Sequence, residues 1–223
     1  MGQDITLTAS DGFKLGAYRT QPEGKPKGAV VVIQEIFGVN SHIRTICDRF
    51  AVQGYVAIAP SIFDRVEPNF QSGYSAEEVA IARKFVANPD WAAFLRDTQA
   101  AIDAVKDAGP VGIIGFCLGG SIAYAAATKL DGLSAAIGYY GGAVVRFADD
   151  KPKVPVQLHF GENDHGIPLS DVETIKAKRP EVEVFVYDGA EHGFNCDQRA
   201  SYNKASADVA RERSLAFLAK HLK

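Results

Sequence analysis

The strongest chemical signal in the sequence is Cys117, at the centre of the motif Gly-Phe-Cys-Leu-Gly at residues 115–119. An apolar, β-branched segment precedes the motif and an alanine-rich segment follows it, which predicts a buried strand, a tight turn and a helix. Small residues flank the turn because side chains there would clash with the strand and the helix. The thiol then lies at a helix N-terminus, where the partial positive charge favours a thiolate. Cys117 is therefore predicted to be a nucleophile.

A structural cysteine in a glycine-rich turn is the alternative interpretation, because cysteine is often a small core residue. Glycine-rich turns also bind phosphates, although the Gly-x-Gly-x-x-Gly spacing of dinucleotide sites is absent here. A hydrolase with this turn requires an acid and then a histidine further along the chain. The partners therefore decide between the two interpretations.

Candidates for both partners are present in that order. Asp164 follows an apolar segment at residues 156–160, and His192 lies in a glycine-flanked loop between the last strand-like and helix-like segments. His165 is the rival base, but His192 fits the expected order better. The remaining histidines are expected at structural positions: His42 and His221 on helix surfaces and His159 within a strand.

A further carboxylate, Glu35, follows a buried strand-like segment. A carboxylate in that position is costly unless it has a partner or a task. The loop after this strand supplies one backbone amide of an oxyanion hole, here that of Ile36, and the amide of Leu118 supplies the other. Glu35 is then expected beside Cys117. An ordinary ion pair, for example with Arg44, is the alternative.

The elements that must position these residues alternate between two patterns. Residues 4–8 and 13–20 flank a Ser-Asp-Gly turn, which predicts an antiparallel hairpin. Six apolar runs without alternation predict strands buried on both faces of a parallel sheet: residues 29–33, 56–59, 111–114, 135–138, 156–160 and 182–187. Helical periodicity is found at residues 41–53, 75–86, 91–108, 117–129, 170–178 and 202–222. The pattern predicts an α/β fold: a doubly wound, mostly parallel sheet with an antiparallel N-terminal hairpin and helices on both faces.

One long irregular segment, residues 61–73, interrupts this alternation. Loops of this length in compact domains are often functional. We expect either a wall over the active site or a plain surface excursion.

Length and composition predict one compact domain spanning residues 1–223. The net charge of −3 and the scattered basic residues argue against nucleic-acid or membrane partners. No apolar run is long enough to cross a bilayer, and no signal peptide is recognisable. Three widely spaced cysteines suit a reducing compartment, so a cytoplasmic monomer or small homo-oligomer is expected. No cofactor loop or metal-ligand spacing is visible, so no cofactor and no metal are expected.

In combination, these segments resemble the dienelactone hydrolase (carboxymethylenebutenolidase) family of the α/β-hydrolase superfamily. The resemblance extends along essentially the whole chain and is most specific at residues 34–40, 115–120, 138–141 and 191–194. It implies the α/β-hydrolase fold. It also implies a carboxylic ester hydrolase that acts on a small-molecule lactone or ester.

The resemblance further implies a catalytic triad of Cys117, His192 and Asp164, with Glu35 as a fourth member. In the family, the glutamate holds the resting thiol, and substrate binding releases the carboxylate to take the thiol proton. The thiolate then pairs with the imidazolium, which favours the anion. Attack on the lactone gives an acyl-enzyme, and water hydrolyses it with His192 as general base.

Two positions depart from the family pattern. A serine and, a little later, an arginine follow the family's catalytic histidine and hold the substrate carboxylate; Gly193 and Cys196 stand there in this chain. Arg199 lies near enough to substitute, and Arg83 is the nearest match to another family arginine. The class of reaction therefore carries over better than the substrate. The candidate substrate-binding residues are Phe37, Arg83, Tyr140, Phe194 and Arg199.

Two other functions remain open. The same residues suit a cysteine thioesterase or general carboxylesterase. A non-catalytic, thiol-sensing relative is also compatible, because an activated thiol can be oxidised. In that case Cys196, in the His192 loop, is the only candidate for a second, resolving cysteine.

Overall fold

The computed structural model describes residues 2–223. The strands are β1 Gln3–Thr8, β2 Lys14–Thr20, β3 Ala29–Ile33, β4 Val56–Pro60, β5 Val111–Phe116, β6 Leu133–Tyr139, β7 Val156–Gly161 and β8 Glu183–Tyr187. The helices are α1 Ser41–Val52, α2 Ala76–Phe85, α3 Trp91–Val105, α4 Leu118–Lys129, α5 Val144–Phe147, α6 Leu169–Lys178 and α7 Lys204–His221. All eight strands form one sheet in the order β1-β2-β4-β3-β5-β6-β7-β8.

The sheet confirms the predicted α/β class. β1 and β2 form the antiparallel hairpin, and Gly12 in its turn has φ 83°, a conformation that glycine adopts at little cost. β2 also pairs antiparallel with β4, and β3 to β8 pair with one another in parallel. The five residues of β3 are fully buried, as the unbroken apolar run predicts.

Helices cover both faces of the sheet. α3 and α4 pack together on one face. α1 and α7 lie on the other, where Ile114, Phe116 and Tyr139 line a cavity between them. α4 approaches the strands closely because its first turn contains Gly119 and Gly120, which have no side chains. A Cβ on Gly120 would overlap the carbonyl oxygen of Tyr139.

The differences from the sequence prediction are local. α5 has four residues, too few for a helical period to be recognised. Residues 106–108 form a 3-10 turn after α3, so the predicted helix ends three residues early. Within residues 2–223, no helix is both long and apolar enough to cross a membrane.

The irregular segment at residues 61–73 is anchored inside the molecule and borders the site. The Phe63 ring lies 5.5–6.3 Å from those of Phe70, Phe85 and Phe94. At its end, Gln71 forms a bridge with Gly38, and the amide of Ser72 donates to the carbonyl of Phe37. The segment therefore holds the loop after β3 in place, which supports the wall rather than the surface excursion.

Candidate active site

Cys117 occupies a strained turn between β5 and α4. Its φ of 56° and ψ of −115° lie outside the usual regions for a residue with a side chain. A Cβ on Gly115 would overlap the carbonyl oxygen of Gly119, and one on Gly119 would overlap that of Ile33. The glycines at both flanks are thus a steric requirement, as the motif predicts. The half-buried thiol lies at the N-terminus of α4.

His192 and Asp164 are in contact at the same edge of the sheet as Cys117. The Nδ1 atom of His192 lies 2.7 Å from Oδ2 of Asp164, a buried carboxylate. The other oxygen of Asp164 accepts from the amide of Gly166 at 2.9 Å. Both carboxylate oxygens are therefore occupied, and the Nε2 atom of His192 is left for Cys117.

Two opposing effects set the pKa of His192. Burial disfavours the imidazolium, but negative charge on Cys117 and hydrogen bonds to Asp164 and Cys117 favour it and raise the pKa from 6.5 to about 10. The histidine therefore holds a proton in the presence of a thiolate. His165, by contrast, is exposed and has no hydrogen bond to Cys117 or Asp164 within residues 2–223.

Two backbone amides near the thiol are free to stabilise an oxyanion. Leu118 is the first residue of α4, so its N–H has no intrahelical acceptor. The N–H of Ile36, in the loop after β3, also lacks an acceptor in the part of the chain that the structure describes. The two loops are joined by a 3.1 Å hydrogen bond from the amide of Gly119 to the carbonyl of Gln34. The arrangement suits a developing oxyanion.

Glu35 is buried, but its partners differ from those expected. Its Oε1 accepts from Nη1 of Arg199 at 3.1 Å, and its Oε2 accepts from the hydroxyl of Tyr74 at 3.3 Å. No hydrogen bond to Cys117 is present among the described residues, because Arg199 and Tyr74 occupy the carboxylate. The alternative pairing with Arg44 is wrong, since Arg44 pairs with Asp4.

Arg199 reaches the site because Gly193 has no side chain. A Cβ on Gly193 would overlap the guanidinium of Arg199. The guanidinium also lies 5.7 Å from the ring centres of both Phe37 and Tyr74. Arg83 is not brought to this cluster: it is exposed in the last turn of α2, and its side chain forms no ion pair within residues 2–223.

The aromatic candidates differ in their surroundings. Tyr140 is buried, has φ 39°, and lies with its ring centre 5.0 Å from that of His192. Its hydroxyl has no hydrogen-bond partner among the described residues. Phe37 packs on Tyr74 at 4.6 Å. Phe194 is fully buried behind Tyr140, where it is a packing residue and has no surface for a substrate.

Two residues close to Glu35, Tyr74 and His42, were not predicted from the sequence. Tyr74 carried no recognisable signal, because its contact with Glu35 joins distant segments. His42 was predicted on a helix surface, but only 1% of its surface is exposed. It lies in phase with the buried Ile46 and Phe50 of α1, and this period of four residues was the available signal.

Comparisons with known proteins identify the family of this chain. The dienelactone hydrolase family matches residues 15–222. A Synechocystis sp. protein provisionally named a carboxymethylenebutenolidase is 39% identical, with 92% of each chain covered. The carboxymethylenebutenolidase of Pseudomonas putida is 31% identical, covering 97% of this chain and 96% of its own.

Solved structures give the same result. The crystal structure of a protein from Klebsiella pneumoniae subsp. pneumoniae, provisionally named a dienelactone hydrolase, superimposes with a TM-score of 0.86 at 31% identity. It covers 98% of this chain and 99% of its own. These likenesses confirm the α/β-hydrolase fold and support hydrolysis of a carboxylic ester or lactone. This chain belongs to the dienelactone hydrolase family and is an ester hydrolase by class.

Proposed function

We propose that this protein opens a lactone of the dienelactone type, or cleaves a small ester, through the thiol of Cys117 and an acyl-enzyme intermediate. The observation that carries the proposal is the alignment of Cys117, His192 and Asp164, with a 2.7 Å contact between the last two. A histidine oriented by a carboxylate and facing a nucleophile is the arrangement that covalent catalysis requires.

The first half of the reaction forms the acyl-enzyme. The thiolate of Cys117 attacks the carbonyl carbon, and the carbonyl electron pair moves to oxygen, where the amides of Leu118 and Ile36 donate hydrogen bonds. The C–O bond then breaks as the oxyanion collapses. The leaving oxygen takes a proton from the imidazolium of His192. In a lactone, this oxygen stays attached to the acyl group.

The second half releases the product. Neutral His192 takes a proton from water, and the resulting hydroxide attacks the thioester carbonyl. The second tetrahedral intermediate collapses by breaking the C–S bond, which restores the thiolate beside the imidazolium. Asp164 keeps the ring oriented through both halves of the reaction.

Glu35 assists by controlling whether the thiol of Cys117 is protonated. A buried carboxylate next to a thiol disfavours the thiolate, unless a cation neutralises that carboxylate. The Glu35–Arg199 pair supplies that cation at 3.1 Å. A substrate carboxylate that bound Arg199 would compete with Glu35 and free it to accept the thiol proton.

Substrate binding falls to the residues around this pair. Arg199 is the candidate for a substrate carboxylate, because it is the arginine that reaches the site. The unpartnered hydroxyl of Tyr140 is available to a polar group of the substrate, since a buried hydroxyl without a partner is costly. Phe37 is buried against Tyr74 and supports this pair by packing.

The direct test is a substrate panel with purified protein. Dienelactone, p-nitrophenyl esters and acyl thioesters are compared by kcat/KM, with Cys117→Ala as the variant and Cys47→Ala, a buried thiol in α1, as the matched control. We expect lactone and ester turnover in the wild type and the control, and loss in Cys117→Ala. Preference for thioesters would make the protein a thioesterase. Full activity in Cys117→Ala would end the proposal.

A further inference from the structure

Three side chains of types that can bind a metal ion lie close together next to Cys117. They are those of Glu35, His42 and Cys196, and all three are buried. One carboxylate oxygen, one ring nitrogen and the Sγ atom lie within 4.8 Å of one another. The three residues come from the loop after β3, from α1 and from the His192 loop, so no spacing in the sequence reveals the cluster.

His42 provides the observation that points to a ligand. Its Nε2 atom is buried and has no hydrogen-bond partner within residues 2–223. Its Nδ1 atom lies 3.7 Å from the carboxylate of Asp197. A histidine that binds metal through one nitrogen usually has a carboxylate or carbonyl near the other, which fixes the tautomer and the ring orientation.

The other two side chains complete the donor set. Cys196 is fully buried, and its Sγ atom lies 3.2 Å from the hydroxyl of Tyr74. Glu35 adds a carboxylate oxygen. Thiolate, imidazole and carboxylate together are ligands that Zn²⁺ accepts in tetrahedral sites, whereas Mg²⁺ and Ca²⁺ prefer oxygen alone.

We propose that Glu35, His42 and Cys196 form a Zn²⁺ site, with the Nε2 atom of His42 and the Sγ atom of Cys196 as two of its ligands. Zinc ligands at about 2.0–2.3 Å from the ion lie roughly 3.5 Å apart. The three atoms, now within 4.8 Å, therefore need to move inward by about 1 Å. Binding replaces the S–H bond of Cys196 by a Zn–S bond, and the thiol proton is released to solvent.

Zinc bound here would inhibit hydrolysis without occupying the nucleophile. It would take up the carboxylate of Glu35, which could then no longer accept the thiol proton of Cys117. This consequence rests on the proposed function, whereas the binding of the metal does not.

The competing zinc site is the Cys117–His192 pair, so the test must separate the two thiols. Chelator-treated full-length protein is titrated with Cd²⁺, and the cadmium–thiolate absorption in the ultraviolet reports the bond. Zn²⁺ affinity is measured by calorimetry. Cys117→Ser and Cys47→Ser each remove a thiol outside the cluster, and Cys196→Ser removes the thiol inside it.

We expect one saturable metal per chain in the wild type, Cys117→Ser and Cys47→Ser. Cys196→Ser should lose the cadmium–thiolate band. Cys196→Ser and His42→Gln should each weaken Zn²⁺ binding by at least the roughly 10-fold to 100-fold typical of losing a supporting group. Two results would overturn the proposal: no saturable binding in the wild type, or a band that disappears in Cys117→Ser and persists in Cys196→Ser.

Activity provides a second readout. Zn²⁺ should inhibit ester hydrolysis in the wild type and in Cys47→Ser, a chelator should reverse the inhibition, and Cys196→Ser should resist it. If the protein binds Cd²⁺ through Cys196 but hydrolyses none of the esters, the metal site stands and the proposed function fails. Inhibition that is equally strong in Cys196→Ser would assign the inhibitory zinc to Cys117.

Discussion

Two histidines lie beside the same pair of strands, yet their protons behave in opposite ways. His159 is in β7, where its Nε2 donates to the side-chain oxygen of Gln157 at 2.9 Å and its Nδ1 accepts from the hydroxyl of Tyr187 at 2.8 Å. Burial, together with the nearby charge of Arg213, lowers its pKa to about 3. Beyond the ends of the same strands, His192 contacts Asp164, and its pKa is raised to about 10.

The difference shows that burial alone does not make a histidine functional. Burial disfavours the charged ring at both positions. His159 is surrounded by neutral partners that satisfy both nitrogens, which makes it a structural group. Anionic partners beside His192 outweigh burial, which makes it a group that can hold and return a proton.

The largest expected effect tests this contrast directly. His192→Gln should lower kcat/KM by about 10²-fold to 10⁴-fold, the usual contribution of general acid–base catalysis. His165→Ala, the matched control on an exposed neighbour of Asp164, should keep most of the activity. The reverse pattern would transfer the role of base to His165.

The pH dependence of kcat/KM tests the raised pKa of His192, which distinguishes it from His159. Because its raised pKa keeps the proton to high pH, kcat/KM should fall only as the pH rises through about 10. Asp164→Asn removes one anionic partner and should move this alkaline limb down by about one pH unit. An unchanged limb in that variant would mean that Asp164 does not set the titration.

A variant of Glu35 shows whether a buried charge near the Cys117 thiol affects its reactivity, as the charge of Asp164 affects the proton of the His192 ring. Glu35→Gln leaves Arg199 as an unpaired cation near Cys117, which favours the thiolate. The rate of iodoacetamide alkylation at Cys117 should therefore rise several-fold, within about one order of magnitude. Glu191→Gln, an exposed change next to His192, is the control. Equal rates in all three proteins would contradict a role for Glu35 in thiol control.

The smallest expected effect concerns His159 and is a change in the pH dependence of the free energy of unfolding. The folded-state pKa of His159 lies below its ordinary value of 6.5, so the unfolded chain binds a proton that the folded chain does not. Stability should fall as the pH drops from about 6.5 towards 3, by up to about 1.4 kcal/mol per pH unit from this group.

Urea unfolding of the wild type and His159→Gln between pH 6.5 and 5 measures this slope. The glutamine keeps groups that can bond with Tyr187 and Ser214. We expect a shallower slope in the variant, with kcat/KM at pH 8 within a few-fold of the wild type. Identical slopes would show that another group carries the acid sensitivity.

The fold and the turn at Cys117 were predictable because their signals are local. The unbroken apolar runs predict the parallel strands, and the glycines on both sides of Cys117 reflect a steric requirement of the turn. Asp164 and His192 follow from their order after successive strands. Each of these signals lies within a few residues of the feature that it predicts.

The remainder of the site depends on contacts between distant segments. Nothing near Glu35 in the sequence distinguishes Arg199 from Arg44 or Arg83 as its partner. The pairing with Arg199 depends on residue 193 being a glycine, because a side chain there would overlap the guanidinium. Tyr74 reaches Glu35 only because residues 61–73 pack against the loop after β3. The burial of His42 follows from its helical phase with Ile46 and Phe50, a pattern that a single histidine on a helix does not reveal.

The turn at Cys117 is held by the sheet itself. The amide of Cys117 donates to the carbonyl of Tyr139 in β6, and the amide of Gly119 donates to that of Gln34 just after β3, so Cys117 is tied to two neighbouring strands. Arg199, Tyr74 and Gly193 lie on connecting loops instead. Transplanting those loops from a relative should therefore exchange substrate preference while the sheet continues to present the same reactive sulfur.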